Sequence, residues 1–280
     1  MNEILYFQSV LNNLHRIVCR AGSIVMKFYG MKEIKTKIKC DGTPVTEADT
    51  KSERIIISSL KSFNPQIPII SEEQSNLQLR MSGLYNGNEY ESRTFWLVDP
   101  LDGTEAFMRK ENRFTINIGL VRNSKPILGA VFFPARDILY SGISGLQAQL
   151  LFDASKTNRF NPVQINTWSC KNGVQVLALL DSGISETLKL DILRRMVKKP
   201  NTSINEYPHK LCGVATGELN ISTVTRSFEW DTAAGHAILK GAGGNIVDIH
   251  GRELSYGKRE FKNPTLIAHG RVSNDLSYVL

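Results

Sequence analysis

The chain lacks the marks of several protein classes. Its four cysteines, Cys19, Cys40, Cys170 and Cys212, form no CxxC pair and no zinc-like spacing, so neither a disulfide framework nor a zinc site is predicted. No run approaches the roughly 20 apolar residues that cross a bilayer. The first residues also lack the basic region and the small-residue cleavage site of a signal peptide. We therefore expect a soluble protein with reduced thiols, either free in the cytoplasm or peripheral at the inner membrane.

A concentrated basic surface is also missing, although the net charge is +7. The densest basic runs, Lys32–Lys39 and Arg194–Lys199, carry no interleaved aromatic residues that would stack on bases. We interpret both runs as solvated surface and expect no nucleic-acid polymer as a partner. An RNA-binding protein would need steeply salt-dependent binding, which scattered charge does not predict. A positive field would, however, attract a small polyanion.

The first half of the chain has the pattern of an α+β subdomain. Apolar residues at three- and four-residue steps predict an amphipathic helix over residues 3–29, which Gly30 ends. Thr46 and Asp49 fit a capping box at the start of a second helix, and Pro65 lies just past its end. Short apolar runs predict strands at residues 67–70, 94–99, 114–121, 126–133, 137–144 and 148–152, the last four as an antiparallel meander. Residues 74–94 are predicted to form an exposed excursion.

The second half alternates strands and helices. A polar stretch around residues 156–173 suggests a boundary, so we divide the chain into subdomains at residues 1–160 and 161–280. Strands are predicted at residues 174–180, 219–225, 245–249 and 264–269, and helices at residues 184–196, 209–217 and 231–244. This α/β pattern, following an α+β half, predicts alternating layers of helices and sheets.

Acidic residues collect where predicted strands and helices meet. Asp99 and Asp102 flank Pro100 and Leu101, and this turn can bring both carboxylates and the Leu101 carbonyl to one space. Two like charges that close need a cation, and a set of oxygen ligands suits Mg²⁺. Gly103 then permits close approach to the first N–H groups of a helix, which bind phosphate. Further acids stand at comparable junctions: Asp49, Glu72, Glu73 and Asp231.

Each acid also has a plain structural interpretation. Asp99 and Asp102 can be a proline turn with an N-cap, Asp49 a capping-box acid, and Asp231 an N-cap. Glu72 can be a solvated loop acid, and the tripeptide that contains it is no signal by itself. His236 is expected to pack within its helix. The joint occurrence of the acids at element ends is what favours a metal site over these alternatives.

Four motifs resemble those of the inositol monophosphatase-like superfamily of Mg²⁺-dependent, lithium-sensitive phosphatases. They are "DGTPVTEAD", "PIISEEQ", "DPLDGT" and "WDTAAGHAILKGAGG", in the order of that family. Within the superfamily, "FTINIGLV", "KPILGAVFFPA" and "WDTAAGHAIL" are most similar to the bacterial 3′(2′),5′-bisphosphate nucleotidases of the CysQ type. The resemblance implies the layered αβαβα sugar-phosphatase fold, with the active site between two subdomains.

The resemblance also implies roles for individual residues. Two or three Mg²⁺ ions would be held by Glu72, Asp99, the carbonyl of Leu101, Asp102 and Asp231. Glu72 and Thr104 would position the attacking water, with help from Asp49. The substrate, a small phosphorylated molecule, would contact Asp102, Gly103, Thr104, Asp231, Lys210 and Arg226. A homodimer through the first subdomain is compatible with the family.

Departures from the nucleotidase pattern lie on the substrate side. Glu105 and Ala106 follow Thr104 where the nucleotidases continue differently, residues 205–208 replace a small Gly-Ser segment, and residues 222–224 replace a "YPR"-like segment. The resemblance implies hydrolysis of adenosine 3′,5′-bisphosphate to AMP and phosphate as the activity, and the departures are the reason to keep alternatives. An inositol monophosphatase or another small sugar-phosphate phosphatase is the alternative. A non-catalytic nucleotide-bisphosphate-binding protein is a further one.

Overall fold

A computed structural model describes residues 3–39, 42–74, 93–156, 161–167, 178–179, 184–187 and 209–271. The helices in these ranges are α1 Glu3–Tyr29, α2 Glu47–Phe63, α3 Thr104–Met108, α4 Lys210–Ala215 and α5 Glu229–Gly241. The strands are β1 Thr36–Ile38, β2 Pro44–Thr46, β3 Ile69–Ser71, β4 Thr94–Asp102, β5 Thr115–Arg122, β6 Lys125–Phe133, β7 Ile138–Ile143, β8 Gln147–Phe152, β9 Val163–Gln164, β10 Ala178–Leu179, β11 Ile221–Val224, β12 Asn245–Asp248 and β13 Leu266–His269.

The two N-terminal helices confirm the sequence predictions. α1 has the predicted bounds, and the face that includes Leu11, Leu14 and Val18 is buried. At the start of α2, Thr46 is the N-cap and Asp49 completes the capping box. Both helices pack on the same face of a large sheet, where their apolar residues share a core with alternate residues of β4 such as Trp96 and Val98.

The large sheet has seven strands in the order β3-β4-β5-β6-β7-β8-β9. β3 and β4 are parallel, and β4 to β9 form an antiparallel series that contains the predicted meander. The prediction that β4 stops at Asp99 is wrong, because β4 continues to Asp102 through a shift in register. Asp99 pairs with Asn117 and Asp102 with Thr115, so the proline lies in a bulge within the strand.

A second sheet has the strand order β10-β11-β13-β12 within the described residues. α4 and α5 lie between the two sheets and share one core with both. The described elements thus form four alternating layers: helices α1 and α2, the large sheet, helices α4 and α5, and the small sheet. Of the helix predicted at residues 184–196 only residues 184–187 are described, with helical conformation at 186 and 187, and most of the excursion predicted at residues 74–94 lies outside the described residues.

The predicted boundary between the two subdomains lies just before β9. β9 pairs with β8 and so belongs to the large sheet. The division at residues 160 and 161 stays a prediction.

None of the helices in the described part of the chain combines the length and hydropathy of a membrane-spanning helix.

Three glycines on neighbouring strands let α5 lie directly on the large sheet. Gly119 of β5 pairs with Gly129 of β6, which pairs with Gly142 of β7. A β-carbon at Gly119 would lie 2.8 Å from the backbone nitrogen of Ala234, and one at Gly142 would lie 2.9 Å from the Cα of Ile238. At Gly129 it would collide with the backbone of Ala234. The glycine row therefore fixes how closely α5 approaches the sheet.

We expect Gly129→Ala to destabilise the protein and to displace α5. The added methyl group meets backbone rather than a movable side chain, and overpacking of this kind costs about 1–3 kcal/mol of the free energy of unfolding. Urea denaturation of the variant measures the loss. Gly30→Ala is the control, since a β-carbon at Gly30 would lie 3.6 Å from the carbonyl oxygen of Lys27, an ordinary van der Waals contact. Equal stability of the two variants would contradict the close-packing argument.

Candidate active site

Asp49 and Thr104 are joined by a hydrogen bond across two elements. The Thr104 hydroxyl lies 3.0 Å from Oδ1 of Asp49 and 3.1 Å from the carbonyl oxygen of Leu101, so either oxygen can accept its proton. Asp49 is held in turn by the N–H of Thr46 at 2.8 Å and by the Thr46 hydroxyl at 2.5 Å. Asp49 is therefore both the capping-box acid and a hydrogen-bond partner of Thr104.

The bulge in β4 places Asp99 and Asp102 near each other. The N–H of Leu101 donates to Oδ1 of Asp99 at 3.0 Å, and Ser52 of α2 anchors the Pro100 carbonyl at 2.8 Å. Asp102 accepts weaker bonds from the side chains of Thr115 at 3.3 Å and Asn117 at 3.4 Å. The interpretation of Asp102 as an N-cap is wrong, because Gly103 is the N-cap of α3.

Asp231 reaches the same place from α5. The helix begins at Glu229, two residues before the predicted start, and Phe228 is its N-cap. Asp231 is therefore the third helical residue rather than the N-cap, and its Oδ2 accepts the Phe228 N–H at 2.7 Å. Its charge interacts with those of Asp102 and Glu72, and its side chain shares a hydrogen bond with Asp99. Helix α5 thus brings Asp231, from the second half of the chain, close to the acids of the first half.

Burial and mutual repulsion raise the pKa values of these carboxyl groups. Burial is the larger cause at Asp99, whose pKa lies well above its ordinary value. The charges of Glu72, Asp102 and Asp231 raise the pKa of Asp99 further. The pKa of Asp231 is likewise well above its ordinary value, first through burial and then through Asp102. The pKa of Asp49 is also raised by burial, against its hydrogen bonds from Thr46 and Thr104.

The donor chemistry of this cluster fits Mg²⁺. Its members present oxygen atoms alone, and their pKa values show that negative charge there is poorly compensated. Within the described ranges, no three side chains already converge as a closed set of metal ligands. The cluster is therefore a gathering of mutually repelling carboxylates that an ion would draw together.

Lys39 lies beside Glu72 and Glu73, although no pattern in the sequence selects it for this place. The Nζ atom of Lys39 lies 2.7 Å from Glu72 and 2.6 Å from Glu73. The Lys39 side chain is only 13% exposed, so the interpretation of its basic run as solvated surface is wrong at this position. Glu72 is likewise no freely solvated acid, and its N–H donates to the carbonyl of Val98 at 3.0 Å. Burial raises the pKa of Glu73 to about 7, against the effect of Lys39.

Glu53 is an acid of this region that the sequence analysis does not select. It lies one turn after Asp49 on α2 and is buried, and its Oε1 lacks a hydrogen-bond partner among the described residues. Burial raises its pKa, while Ser71, Gln74 and Lys39 act in the opposite direction. The spacing of four residues from Asp49 is the signal that could have identified it, because it places both acids on one helix face.

Two of the predicted substrate residues, Lys210 and Arg226, lie at the start of α4 and shortly before α5. Lys210 is the first residue of α4, and its Nζ lies 3.4 Å from the carbonyl oxygen of Thr223. Arg226 is exposed in the segment before α5 and has a φ of 52°. No hydrogen bond or ion pair recorded for the described residues joins Arg226 to the carboxylates. Residues 205–208, where the sequence departs from the nucleotidases, lie outside the described residues.

The whole pattern of motifs and layers has counterparts in known proteins. The profile of the inositol monophosphatase family matches residues 7–276. The chain belongs to this family. The predicted resemblance and the predicted layered fold are thereby confirmed.

Relatives in bacteria are named as nucleotidases. The 3′(2′),5′-bisphosphate nucleotidase CysQ of Buchnera aphidicola is 35% identical over 271 residues, covering 91% of this chain and 93% of that protein. The CysQ of Escherichia coli K12 is 32% identical over 259 residues, covering 91% and 97%. The crystal structure of CysQ from Bacteroides thetaiotaomicron, at 26% identity, has a TM-score of 0.76 and covers 95% of this chain and 98% of its own.

The raised carboxyl pKa values predict that the metal-free protein loses stability as the pH rises. Above about pH 6.5 histidines are neutral in the unfolded chain as well. Glu73, whose pKa burial raises to about 7, still holds part of its proton there, and Asp99 and Asp231 likewise keep protons above their ordinary pKa, so stability falls as the pH rises and these protons leave. The buried histidines do not interfere, since burial lowers the pKa values of His15, His209 and His236 to about 4.

Thermal unfolding in a chelator and in saturating Mg²⁺ tests this prediction. The unfolding midpoint should fall with pH in the chelator, and Mg²⁺ should flatten the dependence. Asp231→Asn should flatten it in the chelator too, because one of the repelling charges is gone. A midpoint that rises with pH in the chelator would contradict the prediction.

Proposed function

We propose that this protein is an Mg²⁺-dependent phosphomonoesterase that hydrolyses adenosine 3′,5′-bisphosphate to AMP and phosphate. The observation that carries the proposal is the Thr104 hydroxyl held between Asp49 and the Leu101 carbonyl, beside carboxylates that repel one another. Family membership and the names of the bacterial relatives support the choice of reaction and substrate. A cytoplasmic location is part of the same proposal.

Glu72, Asp99, Asp102, Asp231 and the carbonyl of Leu101 would hold the Mg²⁺ ions. When bound, Mg²⁺ lowers the pKa of water and neutralises charge on a phosphoryl group. Thr104 directs its proton to Asp49 or to Leu101, which leaves its oxygen free to accept a hydrogen bond from the attacking water. Asp49, fixed by Thr46, keeps the Thr104 hydroxyl in this orientation. Glu72 would accept the proton that the water loses.

The backbone at the start of α3 would hold the phosphate. Gly103 has a φ of 84°, a conformation that suits glycine, and it brings the chain close to Asp102. The N–H of Gly103 donates to the Asp102 carboxylate, so its predicted contact with phosphate requires that bond to be released. The N–H of Thr104 is the other predicted donor. Hydrogen bonds from N–H groups stabilise charge that develops on phosphate oxygens.

We expect Thr104→Ala and Asp102→Asn each to lower kcat by at least about 100-fold, the usual effect of removing a group that acts on the reacting centre. The first removes the hydroxyl that orients the water, and the second removes a carboxylate needed for Mg²⁺. Phosphate release at saturating Mg²⁺ measures both. The control is Glu260→Gln, because Glu260 is an acid outside the proposed site whose side chain is 66% exposed. Variants that fold and keep most of the activity would overturn the proposed site.

A panel of substrates separates the proposed activity from its nearest alternative. Adenosine 3′,5′-bisphosphate should be hydrolysed with a higher kcat/KM than inositol 1-phosphate, and added Li⁺ should inhibit the reaction. Lys210→Met should raise the KM for the bisphosphate more than kcat falls, because the lysine would pair with the second phosphate. Lys262→Met, which removes a lysine whose side chain is 66% exposed, is the control. A preference for inositol 1-phosphate would favour an inositol monophosphatase instead.

A further inference from the structure

Lys39 contacts two neighbouring acids at the edge of the candidate site. It follows β1, and its backbone N–H donates to the carbonyl of Thr43 at 2.8 Å, which closes the β1–β2 hairpin. Its side chain reaches Glu72 and Glu73 at the end of β3, more than thirty residues away along the chain. The hairpin therefore carries a cation to a place where the large sheet delivers carboxylates.

The position of Lys39 balances charge that the fold has gathered. Both partners are largely withdrawn from solvent, with side chains 27% and 10% exposed for Glu72 and Glu73. Contacts of this kind between buried opposite charges are strong because water screens them poorly. A lysine is protonated at neutral pH, and the two glutamates at hydrogen-bond distance favour its charged form.

We propose that Lys39 is a resident counter-cation, which holds Glu72 in the metal-free protein and competes with Mg²⁺ for it. This positioning role rests on the proposed function, since it takes Glu72 to be a metal ligand. Lys39 bonds to Oε1 of Glu72, so an ion that binds there displaces the ammonium group or shares the carboxylate with it. Glu73 provides the second partner, which keeps Lys39 at the edge of the site when Glu72 turns to the ion.

The role has two measurable consequences of opposite sign. Without Lys39 the metal-free protein has more unbalanced negative charge, so its thermal stability falls. For the same reason Mg²⁺ meets less competition, so its affinity rises. We expect Lys39→Met to bind Mg²⁺ about tenfold more tightly, the change that corresponds to one part-buried charge-assisted contact. We also expect Mg²⁺ to restore most of the lost unfolding midpoint.

Calorimetric titration of the chelator-treated full chain with Mg²⁺ measures the affinity, and thermal unfolding with and without Mg²⁺ measures the stability. Lys37→Met is the matched control, because it removes the same charge from an exposed position on the same hairpin. Its affinity for Mg²⁺ should equal that of the wild type. Lys39→Gln keeps hydrogen-bond donors but no charge, and it should also bind Mg²⁺ more tightly. It replaces Lys39→Met if that variant does not fold without metal.

The outcomes separate this role from the proposed function. A wild-type protein that binds no Mg²⁺ would overturn the metal-dependent reaction and the role of Lys39 together. Mg²⁺ binding by the wild type, with unchanged or weaker affinity in both Lys39 variants, would overturn the role of Lys39 alone. Unchanged affinity together with a raised KM would assign Lys39 to the substrate instead.

Discussion

The close contact between α5 and the large sheet determines where the candidate site can form. Gly119, Gly129 and Gly142 lie side by side on three strands, and α5 presents Ala233 and Ala234 to them. With small residues on both sides, the helix backbone rests directly on the sheet. Because α5 begins with the turn that carries Asp231, this spacing sets how far Asp231 lies from the acids of β4. The packing of α5 on the sheet therefore determines how the charged groups of the candidate site are arranged.

The same packing places like charges close together in a buried region. It buries several carboxyl groups within reach of one another, and their pKa values rise first because burial disfavours the charged form and then because like charges repel. Hydrogen bonds from Leu101 and Phe228 and the ammonium group of Lys39 compensate only part of this charge. An ion that binds the folded state alone is then linked to folding, and it stabilises the protein as it completes the site. Repulsion in the metal-free state is thus a source of metal affinity.

Local patterns could be predicted from the sequence, and long-range contacts could not. The periodicity of α1, the capping box of α2 and the meander depend on neighbours in the chain. The bulge in β4 was missed because a proline suggests a strand end, whereas it is also compatible with a bulge. The interpretation of Lys39 as surface fails because both of its partners, Glu72 and Glu73, lie just after β3, far from it along the chain. The glycine row becomes visible only when the strand register is known.

The residues proposed to carry out hydrolysis and the lysine proposed to bind the second phosphate are supported by different parts of the fold. Asp49, Thr104 and the bulge of β4 are fixed by bonds among α2, β4 and α3. Lys210, by contrast, is tied through its Nζ to the backbone of β11 in the small sheet. Substitutions around β11 and α4 would therefore change which anion fits beside the phosphate without moving the Asp49–Thr104 pair. Because of this separation, a nucleotidase pattern that is altered at residues 222–224 is compatible with an intact hydrolytic centre.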